Sequence, residues 1–232
     1  MKTRHPSRRS NLRPVPAVSA PEEVDVTLLF CDVVRSTELT RRLGDRGAYG
    51  VIQEFHDLVL RAATPEGGHE LELRGDGVLL AFEDSRHAVD CGVGIQRSLL
   101  GMPQDRRVSA RIGIHTGSAL RVATGYFGSN VILAARVAEE AAPGEILVSS
   151  AIVQKLSDHG LCVDAGHWVT LKGIPEACLV FSLPWRSKRE SFEKPSAWSP
   201  AHEAMCLAFG NVRETGSESD APSCMLGPRG QA

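Results

Sequence analysis

Nothing in this chain resembles a disulfide framework or a zinc centre. Its six cysteines, at positions 31, 91, 162, 178, 206 and 224, are scattered and form no C-x-x-C pair. Cys31, Cys91, Cys162 and Cys178 lie in apolar runs and read as small buried hydrophobes, which suits a reducing, cytoplasmic setting. No apolar run approaches the roughly 20 residues that a membrane helix needs, so no membrane span is expected. The first twenty residues carry Lys2, Arg4, Arg8, Arg9 and Arg13 but lack the apolar stretch of a secretory signal. A net charge of −2 gives no general pull toward nucleic acid or an anionic membrane, so no nucleic-acid partner is expected. Internal repeats, a P-loop and a helix-turn-helix are all missing.

What is present is an ordinary globular composition, 42% hydrophobic and 23% charged in 232 residues. Residues 1–23, rich in Pro, Ser and Arg, are expected to be a disordered basic arm. The hydrophobic pattern is sustained over 24–185. Residues 186–232 lose it and are expected to be a disordered tail, with 205–209 as a short apolar segment inside.

Within 24–185 the periodicity alternates between strand and helix. Val26–Asp32 reads as a central strand, and Ser36-Thr37-Glu38 as the cap of a helix that Gly44 ends. Helical spacing returns over Tyr49–Ala63. Residues 69–74 and 78–82 form a hairpin around Gly75-Asp76-Gly77. A helix follows over 85–100, then a strand over Val108–His115 and a second strand over 118–122 after Gly117. Gly113 marks either a bulge or a close backbone approach. Asn130–Ala142 is a helix, Glu145–Val148 a strand, and Ser149-Ser150 caps a short helix to about Ser157. Short strands are expected at 161–164, 167–171 and 178–183. The irregular alternation predicts an α+β sandwich, with helices laid on one main sheet.

Two aspartates stand out. Asp32 closes the first strand at a strand-to-helix junction, and Asp76 sits at the hairpin tip. Each is carried at the end of a strand, where it can be aimed without being buried. Two converging carboxylates suit hard divalent cations.

The segments Val26-Thr-Leu-Leu-Phe-Cys-Asp32-Val-Val-Arg-Ser-Thr37, Gly75-Asp76-Gly77, Arg111-Ile-Gly-Ile-His-Thr-Gly117, Tyr126-Phe-Gly-Ser-Asn-Val-Ile-Leu-Ala-Ala-Arg136, Gly144-Glu-Ile-Leu-Val-Ser-Ser150 and Leu171-Lys172-Gly173 follow one another in order. Together they resemble the class III nucleotide cyclase homology domain, over roughly 24–185. The resemblance implies a ferredoxin-like βαββαβ sandwich and conversion of ATP or GTP to the 3′,5′-cyclic nucleotide and pyrophosphate. It implies two Mg²⁺ or Mn²⁺ ions on Asp32, Asp76 and the Val33 carbonyl. It places Arg35, Ser36 and Thr37 at the phosphates, Lys172 at the triphosphate, Arg136 at the transition state, and Glu72 and Gly125 at the base. It also implies a head-to-tail homodimer, or a heterodimer whose partner supplies what this chain lacks.

Three positions depart from the family pattern. An asparagine that stabilises the transition state falls on Ile132, which cannot donate a hydrogen bond. Asn130, two residues earlier, points about 200° away on a helix. The base-recognising lysine of adenylate cyclases is Glu72, as in guanylate cyclases, while the second base position is Gly125, which has no side chain. Glu72 otherwise reads as a solvent-facing strand residue. His115 reads as structural, and Arg136 as a surface residue able to pair with Glu139 or Glu140. Two functional readings therefore stand side by side: a working cyclase, and a weak or inactive cyclase-homology module that binds nucleotide or a partner and regulates by dimerisation.

Overall fold

The computed structural model describes residues 20–186 apart from Thr124. Most of the basic arm (1–19) and nearly all of the tail (187–232), with its 205–209 segment, lie outside the described residues. The first strand, β1 (Glu22–Val33), begins inside the stretch assigned to the arm.

The elements then run α1 (Ser36–Ala63), β2 (His69–Arg74), β3 (Gly77–Phe82), α2 (Ser85–Leu100), β4 (Ala110–Val122), β5 (Gly125–Phe127), α3 (Ser129–Glu140), β6 (Ile146–Ser149), α4 (Ser150–Lys155), β7 (His167–Thr170) and β8 (Ala177–Ser182). The strands form one sheet in the order β2-β3-β1-β4-β6-β8-β7, with β5 paired to β4. All neighbours are antiparallel except β4 and β6. The first four strands with α1 and α2 make the expected βαββαβ unit.

Several local expectations need correction. Gly44 does break the helical backbone (φ 70, ψ 167), but the helix resumes at once as the second arm of α1. Ser36-Thr37-Glu38 does not cap α1: Arg35 is the N-cap, with left-handed backbone (φ 61), and no side chain caps the end. Ser149 likewise makes no side-chain cap on α4. Gly117 does not divide β4, which runs unbroken against β1 from Ala110 to Arg121. The expected strand at 161–164 is irregular backbone.

Gly113 is a close approach rather than a bulge. A Cβ there would fall 2.2 Å from the Ala138 amide nitrogen, so its absence lets α3 lie directly on β4. A side-chain cap does form where the sequence reading singled out none: the Asp84 carboxylate accepts from the Arg86 amide at 2.8 Å and starts α2.

Period-two alternation sorts β1 into two faces. Thr27 meets Ser85 of α2 at 2.7 Å, on the side where α1 and α2 pack. Val26, Leu28 and Phe30 point the other way and cluster with Ala134 of α3. Fully buried aliphatic residues such as Leu28, Leu80, Ile112 and Ile146 anchor both layers, each contributing about 1.5–3 kcal/mol by leaving water. Asp32 continues the Val26–Leu28–Phe30 series, so it emerges on the α3 face at the end of β1.

Candidate active site

Strand pairing brings the two aspartates together. Asp32 lies opposite Gly77 of β3 on one side and Arg111 of β4 on the other. The turn before Gly77 carries Asp76, with Gly75 taking the positive φ (59) that a tight hairpin needs. The Val33 amide donates to the Asp76 carbonyl at 3.1 Å, pinning the hairpin tip to the end of β1. Both aspartates line one cleft of about 440 Å³ with Phe30, Glu72, Arg111, Ala135 and Glu139.

Glu72 reaches this cleft through a bulge. The β2–β3 register slips between Glu70 and Glu72, setting Glu72 opposite Leu79, a member of the α3-face cluster. The extra residue re-aims the side chain to the face that the aspartates share.

Arg111 is the site residue that sequence reading did not single out. Its Nη2 and Nε both donate to Oδ2 of Asp32, at 2.7 and 3.0 Å, and its Nη1 donates to the Glu139 carbonyl at 3.1 Å. The signal lay in the pairing register of β4 with β1, which no local motif encodes. Burial pushes the Asp32 carboxyl above its ordinary range. The Arg111 bond works against that, and the Asp76 and Glu139 charges add to it.

Arg136 and Ile132 share a face of α3, one turn apart. Ile132 is 52% exposed. The Arg136 Nη1 donates to the Glu139 carboxylate, and its Nε is buried with no hydrogen-bond partner. Neither residue lines the aspartate cleft. Asn130 is fully committed elsewhere: its amide nitrogen donates to the Ser118 carbonyl at 2.7 Å and its Oδ1 faces His115 Nε2 at 2.9 Å. His115 Nδ1 is 2.8 Å from the Ser149 hydroxyl, so this buried histidine ties α3, β4 and β6 together.

The remaining expected site residues are dispersed. Arg35 is exposed and opens on a second cavity of about 390 Å³ with Arg42 and Arg107. Ser36 and Thr37 start α1 without lining either cavity. Lys172 is exposed in the turn between β7 and β8. Gly125 opens β5 at φ 130, and a Cβ there would meet open space. The missing side chain at this position is thus set by backbone conformation, since L residues rarely adopt that angle.

The donor chemistry fits a hard divalent cation, because the paired side chains offer carboxylate oxygens and no sulfur or imidazole. Among the described residues, no group of three or more His, Cys, Asp or Glu side chains is arranged to hold a metal.

The adenylate and guanylate cyclase catalytic domain model matches residues 18–183. The chain belongs to this family. Its cyclase domain resembles solved structures over nearly their whole length. The guanylyl cyclase Cya2 aligns with a TM-score of 0.66 at 23% identity, over 75% of this chain and 99% of that one. The adenylyl cyclase CyaB from P. aeruginosa aligns with a TM-score of 0.65 at 20% identity, over the same shares. At these identities the likeness shows the fold.

An adenylate cyclase of Streptomyces griseus is 30% identical over 132 residues, 56% of this chain and 32% of that protein. An uncharacterised protein of Mycobacterium tuberculosis is 28% identical over 169 residues, 72% of this chain and 43% of that protein. The chain therefore spans less than half the length of these curated relatives. No described helix is long and apolar enough to cross a membrane.

Proposed function

We propose that this cyclase domain converts ATP or GTP into the 3′,5′-cyclic nucleotide and pyrophosphate, as part of intracellular signalling in the cytoplasm, where these triphosphates reside. The observation that carries the reading is the convergence of Asp32 and Asp76 in one cleft, with the Val33 amide bonded to the Asp76 carbonyl. In the reaction the ribose 3′-oxygen loses its proton and bonds to the α-phosphorus. The bond from that phosphorus to the β-phosphate oxygen breaks, and pyrophosphate leaves. Two Mg²⁺ or Mn²⁺ ions, when bound, make the 3′-oxygen nucleophilic and neutralise charge on the leaving group.

The chain's own residues divide the remaining work. Asp32, Asp76 and the Val33 carbonyl hold the cations. The free N–H groups at the start of α1, around Arg35, Ser36 and Thr37, receive the β- and γ-phosphates. Lys172 contacts the triphosphate, and Arg136 meets charge that develops on the reacting phosphate. Glu72 accepts from the guanine N1–H and 2-amino group, which tilts the choice toward GTP, while Gly125 contributes no side chain to base recognition. Arg136 and Lys172 lie outside the aspartate cleft of their own subunit, which supports a head-to-tail dimer in which a second copy supplies them. A heterodimer would serve the same geometry.

A second reading is favoured by Ile132. An exposed aliphatic side chain replaces a hydrogen-bond donor, and losing one such donor costs about 10²–10³ in rate. The domain would then bind nucleotide, or a partner, and regulate by dimerisation with little turnover. Cyclic nucleotide production from ATP and from GTP, in Mn²⁺ and in Mg²⁺, beside the Asp32→Ala variant, decides between them. Product that vanishes with Asp32→Ala supports the cyclase and names its base. No product at concentrations that dimerise the protein supports the binding module.

A further inference from the structure

The Arg111–Asp32 pair sits where a cation is expected, and it resolves an electrostatic problem that an empty site would otherwise have. Asp32 is only 29% exposed and has Asp76 and Glu139 as negative neighbours. A half-buried carboxylate among like charges needs a counter-ion. Arg111 is that counter-ion: two of its nitrogens converge on one Asp32 oxygen, and a third nitrogen is moored to the Glu139 carbonyl. Any cation bound to Asp32 must compete with a guanidinium already in place.

Resting on the cation reading above, we infer that Arg111 is a built-in competitor that couples cation binding to polyphosphate binding. Two carboxylates do not fill the shell of a six-coordinate ion, and among the described residues no group of three or more His, Cys, Asp or Glu side chains is arranged to hold one. A cation arriving alone thus gains few ligands and must leave Arg111 without its carboxylate. A cation arriving with a polyphosphate brings oxygens for its own shell. It also brings an acceptor whose geometry matches the guanidinium fork. Arg111 then exchanges Asp32 for phosphate, and each ligand strengthens the other, as linkage requires. Arg111 is in this sense a positioning residue that keeps the site closed to cations without substrate.

The test is binding of Mn²⁺ alone, read as loss of the free Mn²⁺ electron-spin-resonance signal, to the full chain at pH 8. Wild type is compared with Arg111→Gln, Asp32→Asn and the double variant. Arg111→Gln is expected to bind Mn²⁺ more tightly, by about fivefold or more, the lower end of typical coupling between sites. The gain is expected to disappear in the double variant. Arg111→Lys, which keeps the charge but cannot span Asp32 and the Glu139 carbonyl, should fall between wild type and Arg111→Gln. Tighter binding is not an outcome that misfolding produces.

If Arg111→Gln binds Mn²⁺ no better than wild type while Asp32→Asn weakens binding, the pair merely holds the carboxylate in place. The inference then fails and the cation reading stands. If Asp32→Asn changes nothing in either background, Asp32 holds no cation, and the cation reading falls together with the inference.

Discussion

Ile132 and Arg136, one turn apart on α3, set the residue-scale question. Arg136 is present but engaged with Glu139, and Ile132 offers an aliphatic surface where a donor would be needed. Ile132→Asn is expected to raise cyclic nucleotide formation about 10²-fold if the rest of the site is competent, the reverse of losing one preorganised donor. An initial-rate assay of the two proteins side by side measures it. An unchanged rate would place the domain among non-catalytic modules. Because Ile132 is exposed, the substitution should leave the melting temperature nearly where it is, within the small range of surface changes.

At the scale of elements, the site depends on how closely α3 lies on β4. Gly113→Ala would put a methyl against the Ala138 backbone, which cannot rotate away. It should lower stability by about 1–3 kcal/mol, the usual cost of overpacking, readable in a urea titration. Asp84→Ala should cost about 1 kcal/mol through the lost α2 cap.

The His115 bridge adds a pH dependence. Asn130 Oδ1 is the acceptor, because its amide nitrogen already donates to Ser118. Nε2 of the imidazole therefore carries the proton, and Nδ1 accepts from Ser149. Burial pushes this histidine below its ordinary value of 6.5. Between the folded value and 6.5 the unfolded chain binds more protons, so stability is full above 6.5 and falls as the pH drops through this window. His56, buried with neither ring nitrogen hydrogen-bonded, contributes in the same direction. The loss of urea midpoint between neutral and mildly acidic pH should therefore shrink in His115→Gln.

For the whole molecule, the test is complementation. Asp32→Ala and Arg136→Ala should each be inactive alone if one subunit supplies the carboxylates and the other the arginine. Mixed in equal amounts, about half the dimers would be hybrid with one intact site of two, recovering about a quarter of wild-type activity. Two variants that stay inactive after mixing, while still dimeric by sedimentation, would show that the site is not shared.

Much of this was legible in the sequence because it is written in short-range patterns. A continuous apolar run marked Val26–Asp32 as a strand, and apolar spacing marked 85–100 as a helix. Glycines around Asp76 marked the hairpin tip, and ordered motifs marked the family. Caps were less legible: the N-cap of α1 falls on Arg35 rather than Ser36, and Ser149, although at the N-cap of α4, turns its hydroxyl to His115.

The sequence by itself determined which side chains are available: two aspartates at strand ends, a glutamate where a lysine could stand, and an isoleucine in place of an asparagine. Only the tertiary structure decided which of them meet. Arg111 bonds Asp32, 79 positions away in the chain, because β4 returns beside β1 in one register. Glu72 joins the cleft because a bulge shifts the register of its strand. Pairing register is a long-range property, set by the packing of two whole layers, and no window of local sequence contains it.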